Sequence, residues 1–208
     1  MAFGAGVLVS ALAYELFLEA TETAERSRIA ALGLFAGSAT FFVGDSLIDR
    51  MGGEGRKSME GRQVGGVALA IVLGIVLDGI PESAVVGVDL RIGEGVGWAF
   101  IAAVFLSNLP EAAAASSGLA ASGWKTQRIY LLWIAVAVVS GIAAALGWAV
   151  VGGAGPDATA FILTFAAGAI LTMLADTMFP EALAEGGKAA GLLTTVGFAL
   201  AFAISSFE

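Results

Sequence analysis

The sequence predicts an all-α protein, a polytopic membrane bundle of seven transmembrane helices that forms one domain over residues 1–208. Its composition is 58% apolar and only 13% charged, whereas ordinary globular chains carry about 25% charged residues. The mean hydropathy is +0.91, and the few charges are grouped between long apolar runs. The runs contain 18 to 26 residues, and a helix needs roughly 20 to cross the hydrocarbon layer. These observations indicate that lipid surrounds the helices.

The seven apolar runs define the predicted helices, which we number α1 to α7. They cover residues 3–20, 29–48, 64–88, 95–119, 129–151, 157–182 and 187–207. No basic segment precedes α1, and it leads directly into α2, so we interpret it as a helix and not as a cleaved leader. The separators, such as 21–28, 49–63 and 152–156, are short and polar and leave no room for a soluble domain.

The distribution of basic residues predicts the orientation of the bundle. With alternate loops on alternate sides, one side carries Arg50, Arg56, Lys57, Arg62, Lys125, Arg128 and Lys188, and the other carries Arg26, Arg28 and Arg91. Because cytoplasmic loops are enriched in Lys and Arg, the first side is predicted to be cytoplasmic. The protein would then be a multi-pass protein of the cytoplasmic membrane with its C-terminus outside.

The composition also excludes several classes of function. A formal net charge of −8 argues against nucleic acid as a partner. The chain has no Cys and no His, and so it has no disulfide, thiolate or imidazole chemistry. Ser107 lies one turn from Glu111, but it has no base strong enough to activate it. We therefore expect neither an enzyme nor an organic cofactor.

Two polar clusters interrupt α3 and α4 near mid-span. An ionisable residue at this depth costs roughly 2.5 to 3.5 kcal/mol on insertion scales, so each one needs a partner or a function. In α3, Asp78 and Glu82 are four residues apart and share a helix face. In α4, Ser107 and Asn108 precede Glu111 by four and three residues. Since α3 and α4 are consecutive and antiparallel, the two clusters are predicted to face each other at one depth.

Each polar cluster contains a proline. Pro81 and Pro110 each remove one helical hydrogen bond and free a carbonyl oxygen one turn earlier. Three carboxylates at one depth repel one another unless they are protonated or share a cation. Carboxylate, amide, hydroxyl and carbonyl oxygens together form a ligand set for hard divalent ions. The alternative is that the prolines are packing kinks and that burial keeps the acids neutral.

Four further acids lie at other depths of the bundle. Glu15 on α1 lies toward the predicted outer end, whereas Asp45 on α2 and Asp176 and Glu181 on α6 lie toward the cytoplasmic end. A cation route needs acids at outer, middle and inner depths, and we interpret these four as a transport path. Residues near helix ends are also often simply solvated, so this alternative stays open.

The segments Asp78-Gly79-Ile80-Pro81-Glu82-Ser83 and Ser107-Asn108-Leu109-Pro110-Glu111-Ala112 resemble motifs of the ZIP (Zrt/Irt-like protein) family of divalent-metal transporters, in its bacterial branch. That family carries similar His-Asn-x-Pro-Glu-Gly and Gln-Asn-x-Pro-Glu-Gly segments on the fourth and fifth of its eight helices. α6, with Asp176 to Glu181, resembles the seventh helix, and α1 resembles the second. The family's first helix is then missing, so the chain is either a naturally short member or begins at an internal methionine.

The resemblance implies transport of a divalent metal ion (Zn, Mn or Fe(II)) across a prokaryotic inner membrane. It also implies a homodimer, for which abundant small-residue faces provide a second indication. The family's metal-binding His is replaced by Asp78, the Asn after it by Gly79 and a Gln by Ser107, and a sixth-helix Glu is absent from 140–145. The implied site is therefore a single oxygen-only site, whose residues are Asp78, Glu82, Asn108, Glu111 and Ser107.

Loss of imidazole should shift the metal preference toward harder ions, because nitrogen and sulfur ligands favour the softer metals. We expect Mn(II) or Fe(II) to be transported at least as well as Zn(II). Two other functions stay open. The same acids would also suit a permease for protons, another cation or a polar solute, and the kinked helices would also suit a membrane scaffold that transports nothing.

Overall fold

A computed structural model describes residues 1–25, 27–53, 68–92 and 98–206 of the chain. Within these ranges the elements are helices and no strand occurs, which confirms the predicted all-α class. Six of these helices are long and apolar enough to cross a membrane, and a seventh is apolar but only 17 residues long. That length is at the lower end of the range of about 17 to 25 residues for a spanning helix.

The helices begin and end close to the predicted positions. In chain order they are α1 Ala2–Thr23, α2 Ser27–Ile48, α3 Ala68–Ile92, α4 Trp98–Ala121, α5 Thr126–Val151, α6 Pro156–Gly186 and α7 Ala189–Ser205. The described residues include three π-helical stretches, in which each hydrogen bond spans one more residue than in an α-helix. They are Leu12–Phe17 in α1, Asp49–Gly53 after α2 and Leu174–Met178 in α6.

The predicted ends differ from the observed ones for physical reasons. α3 continues to Ile92 and includes Asp89 and Arg91, because hydropathy detects only the apolar part of a helix. α7 begins at Ala189 and not at 187, since Gly187 forms the turn after α6 with φ +52°, a conformation that favours glycine. Several predicted features lie outside the described residues, namely 64–67, 95–97, residue 207, Arg26, Arg56, Lys57 and Arg62.

Three helix pairs pack through glycines that face backbone carbonyl groups of the partner helix. At each of these glycines an added Cβ would overlap the facing carbonyl oxygen. The facing residues are Gly6 with Thr194 and Gly197 with Phe3 between α1 and α7, Gly37 with Phe165 and Gly168 with Leu34 between α2 and α6, and Gly87 with Ala144 and Gly147 with Ala84 between α3 and α5. Small residues allow this close approach in lipid, where van der Waals packing holds helices together.

α4 packs mainly against α1, and its closest approach differs from those of the three glycine-paired helix pairs. A Cβ on Gly4 of α1 would lie 2.8 Å from the Cα of Ser107, so α4 packs closely against α1. α3 packs far more extensively on α5 than on α4. The backbones of α3 and α4 therefore have few close contacts, and the cavity that contains the candidate site lies between these two helices and α5.

The close glycine contacts predict a position-specific effect on stability. Gly37→Ala should destabilise the protein by about 1 to 3 kcal/mol, because an added methyl group must push α2 away from the Phe165 carbonyl. Gly141→Ala is the matched control, since nothing lies within 4 Å of a Cβ at that position on α5. Thermal unfolding in detergent measures both variants, and an equal effect at the two positions would contradict the packing described.

Candidate functional site

A cavity of about 310 Å³ lies between α3, α4 and α5. Both predicted polar clusters contribute to its walls. Its polar lining residues are Asp78, Glu82 and Ser83 from α3, Asn108 and Glu111 from α4, and Ser140 from α5. Both helices continue through Pro81 and Pro110 without leaving the helical conformation. The structure thus brings together four of the five predicted site residues.

One hydrogen bond joins the two clusters directly. The Asn108 Nδ2 donates to Glu82 Oε2 at 2.6 Å and to the Val104 carbonyl oxygen at 2.8 Å. Both N–H groups of the amide are therefore engaged, and its oxygen remains as the acceptor. Glu82 is only 2% exposed, and a hydrogen bond to an ionised group is roughly twice as strong as one between neutral groups. Asn108 thus supports a buried carboxylate at the point where α3 faces α4.

Two more carboxylates line the same cavity. Asp78 is 4% exposed and lies one turn from Glu82 on α3, and Glu111 is half-buried and lies one turn beyond Asn108 on α4. Negative charges on opposite walls repel strongly in a low-dielectric interior, so this arrangement favours protons or a bound cation. Within the described residues, no three Asp, Glu, His or Cys side chains are grouped closely enough to hold a metal ion by themselves.

The fifth predicted site residue lies elsewhere. Ser107 is fully buried, faces Gly4 of α1, and donates a hydrogen bond to the Val104 carbonyl oxygen at 3.0 Å. It is not among the described residues that line the cavity. Successive helical residues are turned by about 100°, so Ser107 faces α1 while Asn108 faces α3. Its spacing from Glu111 does not bring it into the cavity, because Glu111 lies at the edge of the cavity face.

The sequence did not indicate the contribution of α5. Trp133, Val136 and Ser140 form the third wall, and a Cβ on Gly79 of α3 would lie 3.9 Å from the Ser140 Oγ. The sequence of α5 is apolar enough to predict a lipid-facing helix, so it did not indicate that α5 lines a cavity. A hydroxyl at the middle of such a helix is the signal that could have revealed it.

Packed apolar side chains lie toward both ends of the α3–α4 interface. Toward Arg91 these residues are Val85, Phe100 and Ala103, which belong to the main core. Toward the start of α3, Ile71, Ala115 and Leu119 form a second cluster against which Trp133 packs. The Trp133 Nε1 donates to the Ser116 Oγ of α4 at 2.9 Å.

The acid predicted at the outer end of the bundle joins two helices. Glu15 lies in the π-helical stretch Leu12–Phe17 of α1 and accepts a hydrogen bond of 2.5 Å from the Ser205 Oγ of α7. π-helical turns occur frequently at functional sites. Glu15 is half-buried, but it is not one of the described residues that line the central cavity.

The acids predicted at the cytoplasmic end lie around α2 and α6. Asp45 is 6% exposed and lies close enough to Asp176 for charge repulsion between them. Asp176 lies in the π-helical stretch Leu174–Met178 and lines an open cavity of about 490 Å³. Glu181 is half-buried in the last segment of α6. None of the three is among the described residues that line the central cavity, so the structure separates the predicted path residues from the central site.

No protein-family model matches this sequence, and no curated protein matches it.

The contact between Asn108 and Glu82 predicts strong energetic coupling. Asn108→Ala should destabilise the protein by about 1 to 3 kcal/mol, because it removes the donor from a buried carboxylate. In a double-mutant cycle with Glu82→Ala, measured by thermal unfolding, the coupling energy should reach about 1 kcal/mol or more. Ser117→Ala is the control on α4, since its hydroxyl bonds only its own helix at the Ala113 carbonyl among the contacts described. Additive effects at 82 and 108 would contradict the coupling.

The cavity also predicts a pattern of chemical accessibility, which can be measured because the chain has no cysteine. Ala112→Cys should react with a small water-soluble thiol reagent, because Ala112 lines the cavity. Ala114→Cys should resist the same reagent, since Ala114 is fully buried on the same helix. Mass spectrometry of the labelled protein compares the two rates. Faster labelling at 114 than at 112 would contradict the assignment of the cavity to the face of α4 that contains Ala112.

Proposed function

We propose that this multi-pass membrane protein transports divalent metal cations of the zinc, manganese and iron(II) class through the cavity between α3, α4 and α5. The observation that carries the proposal is the meeting of Asp78, Glu82, Asn108 and Glu111 on one cavity at the middle of two spanning helices, with the Asn108 amide 2.6 Å from Glu82. The resemblance of both segments to ZIP motifs supports the same function.

Binding and release of the ion depend on the charge of the carboxylates in the cavity. Carboxylates in a membrane interior are costly unless their charge is offset, and a divalent ion offsets two of them. Release requires the opposite change, and protonation of the carboxylates lowers their affinity for the ion. Transport of this kind forms and breaks no covalent bond, and without His or Cys we infer a transporter and not an enzyme.

The remaining parts of the proposal concern the path and the setting. The ion enters past Glu15 and leaves past Asp176 and Asp45, with Glu181 near the exit, as helices move against one another. The setting is the cytoplasmic membrane of a prokaryote with the C-terminus outside, as the basic residues of the loops indicate. Dimerisation is part of the same proposal, on the basis of the resemblance.

Glu111→Gln should reduce metal uptake to the level of protein-free liposomes, because it removes one charge from the cavity while keeping the shape of the side chain. Uptake of Mn(II), Fe(II) and Zn(II) into proteoliposomes measures the effect. Glu185→Gln is the matched control, since Glu185 is exposed near the end of α6, and it should transport at the wild-type rate.

Two results would count against the proposal. Wild-type uptake by a folded Glu111→Gln variant would refute the site, and equal uptake of monovalent cations would favour a general cation or proton permease. The oxygen-only ligand set further predicts that Mn(II) or Fe(II) is carried at least as well as Zn(II). Strict selectivity for zinc would contradict that expectation.

A further inference from the structure

The central cavity is large compared with a bare metal ion. Its volume is about 310 Å³, whereas oxygen ligands contact Mg²⁺ or Ca²⁺ directly at about 2.0 to 2.6 Å. Six water molecules at about 30 Å³ each occupy roughly 180 Å³. The cavity therefore has room for a divalent ion together with a full first layer of water.

The polar groups of the cavity lie on three of its walls. Carboxylates line the α3 and α4 walls, the Asn108 amide adds a further oxygen on α4, and hydroxyls come from Ser83 on α3 and Ser140 on α5. The water molecules around a cation donate hydrogen bonds outward in all directions. Acceptors on three helices can receive part of these bonds, of which the carboxylates form the strongest, while apolar side chains such as Ile75, Val104 and Val136 line the rest of the cavity.

The hydrogen bond within the site is also compatible with a hydrated guest. Direct coordination by Glu82 Oε2 would compete with the Asn108 Nδ2 that already lies 2.6 Å from it. A carboxylate has about four acceptor sites on its two oxygens, so Glu82 can keep this bond and still accept from water. A hydrated ion thus enters the cavity without the loss of the contact that joins α3 to α4.

We infer that the divalent cation occupies the cavity with its water layer in place, so that Asp78, Glu82 and Glu111 hold the ion through water. This inference rests on the proposed function and specifies its cargo. The cargo class is then the strongly hydrated divalent cations, with Mg²⁺ included because it loses water reluctantly. The site then selects them by charge and size, and its oxygen acceptors give it no preference for zinc over the harder ions.

Hexaamminecobalt(III) tests this inference, because its six ammine ligands do not exchange and it has the size of a hydrated magnesium ion. Binding to the purified full-length chain is measured by isothermal titration calorimetry, alone and in competition with Mn²⁺. The complex should bind and should be displaced by Mn²⁺ and by Mg²⁺. Glu111→Gln should weaken its binding about tenfold or more, whereas Glu185→Gln should leave it unchanged.

The possible failures are distinguishable. If Mn²⁺ binds in a Glu111-dependent manner and the cobalt complex neither binds nor competes, the ion is coordinated directly, so the inference is wrong while the proposed function stands. If the complex binds equally well to Glu111→Gln, it binds outside the cavity and the inference is also wrong. If the folded protein binds neither ion, the proposed function falls and the inference falls with it.

Discussion

The hydrogen bond from Asn108 to Glu82 is the interaction on which the central site depends. It supplies a donor to a carboxylate that is almost fully buried, and in lipid such a group is costly without one. It also connects α3 to α4, which have few other close contacts. The two helices therefore meet at a polar contact while their backbones stay apart, and the space between them becomes the cavity.

The packing of the neighbouring helices explains why this space remains open. α3 is held to α5 by Gly87 and Gly147, and α4 is held to α1 by the close approach of Gly4 to Ser107. Each helix beside the cavity thus has its main packing partner on another side. The Trp133–Ser116 hydrogen bond links α5 to α4. The described glycine contacts thus hold α3 to α5 and α4 to α1, and none of them joins α4 to α3 or α5.

Much of this arrangement could be predicted from the sequence, because in a membrane protein both the long apolar runs and the polar residues within them are easy to recognise. Long apolar runs identified the helices, and the four-residue spacing of Asp78 and Glu82 identified a polar face. The position of Ser107 could not be predicted in this way, since residue spacing along one helix does not say which neighbouring helix a given face contacts. The role of α5 was not predicted either, because Trp133 and Ser140 reach the cavity through the packing of Gly147 and Gly87, and that packing depends on a partner helix distant in sequence. The hydroxyl of Ser140 was its one signal.

The same arrangement constrains how charge can cross the bundle. Apolar clusters pack toward both ends of the α3–α4 interface, and the three carboxylates of the cavity lie between them. An empty cavity with three ionised acids would carry a net charge that the low dielectric penalises heavily. A divalent ion and protons are alternative ways to offset the charge of these acids. Under the proposed function, the arrival of the ion would therefore displace protons and its departure would require them, so the electrostatics of the buried site would link the two movements.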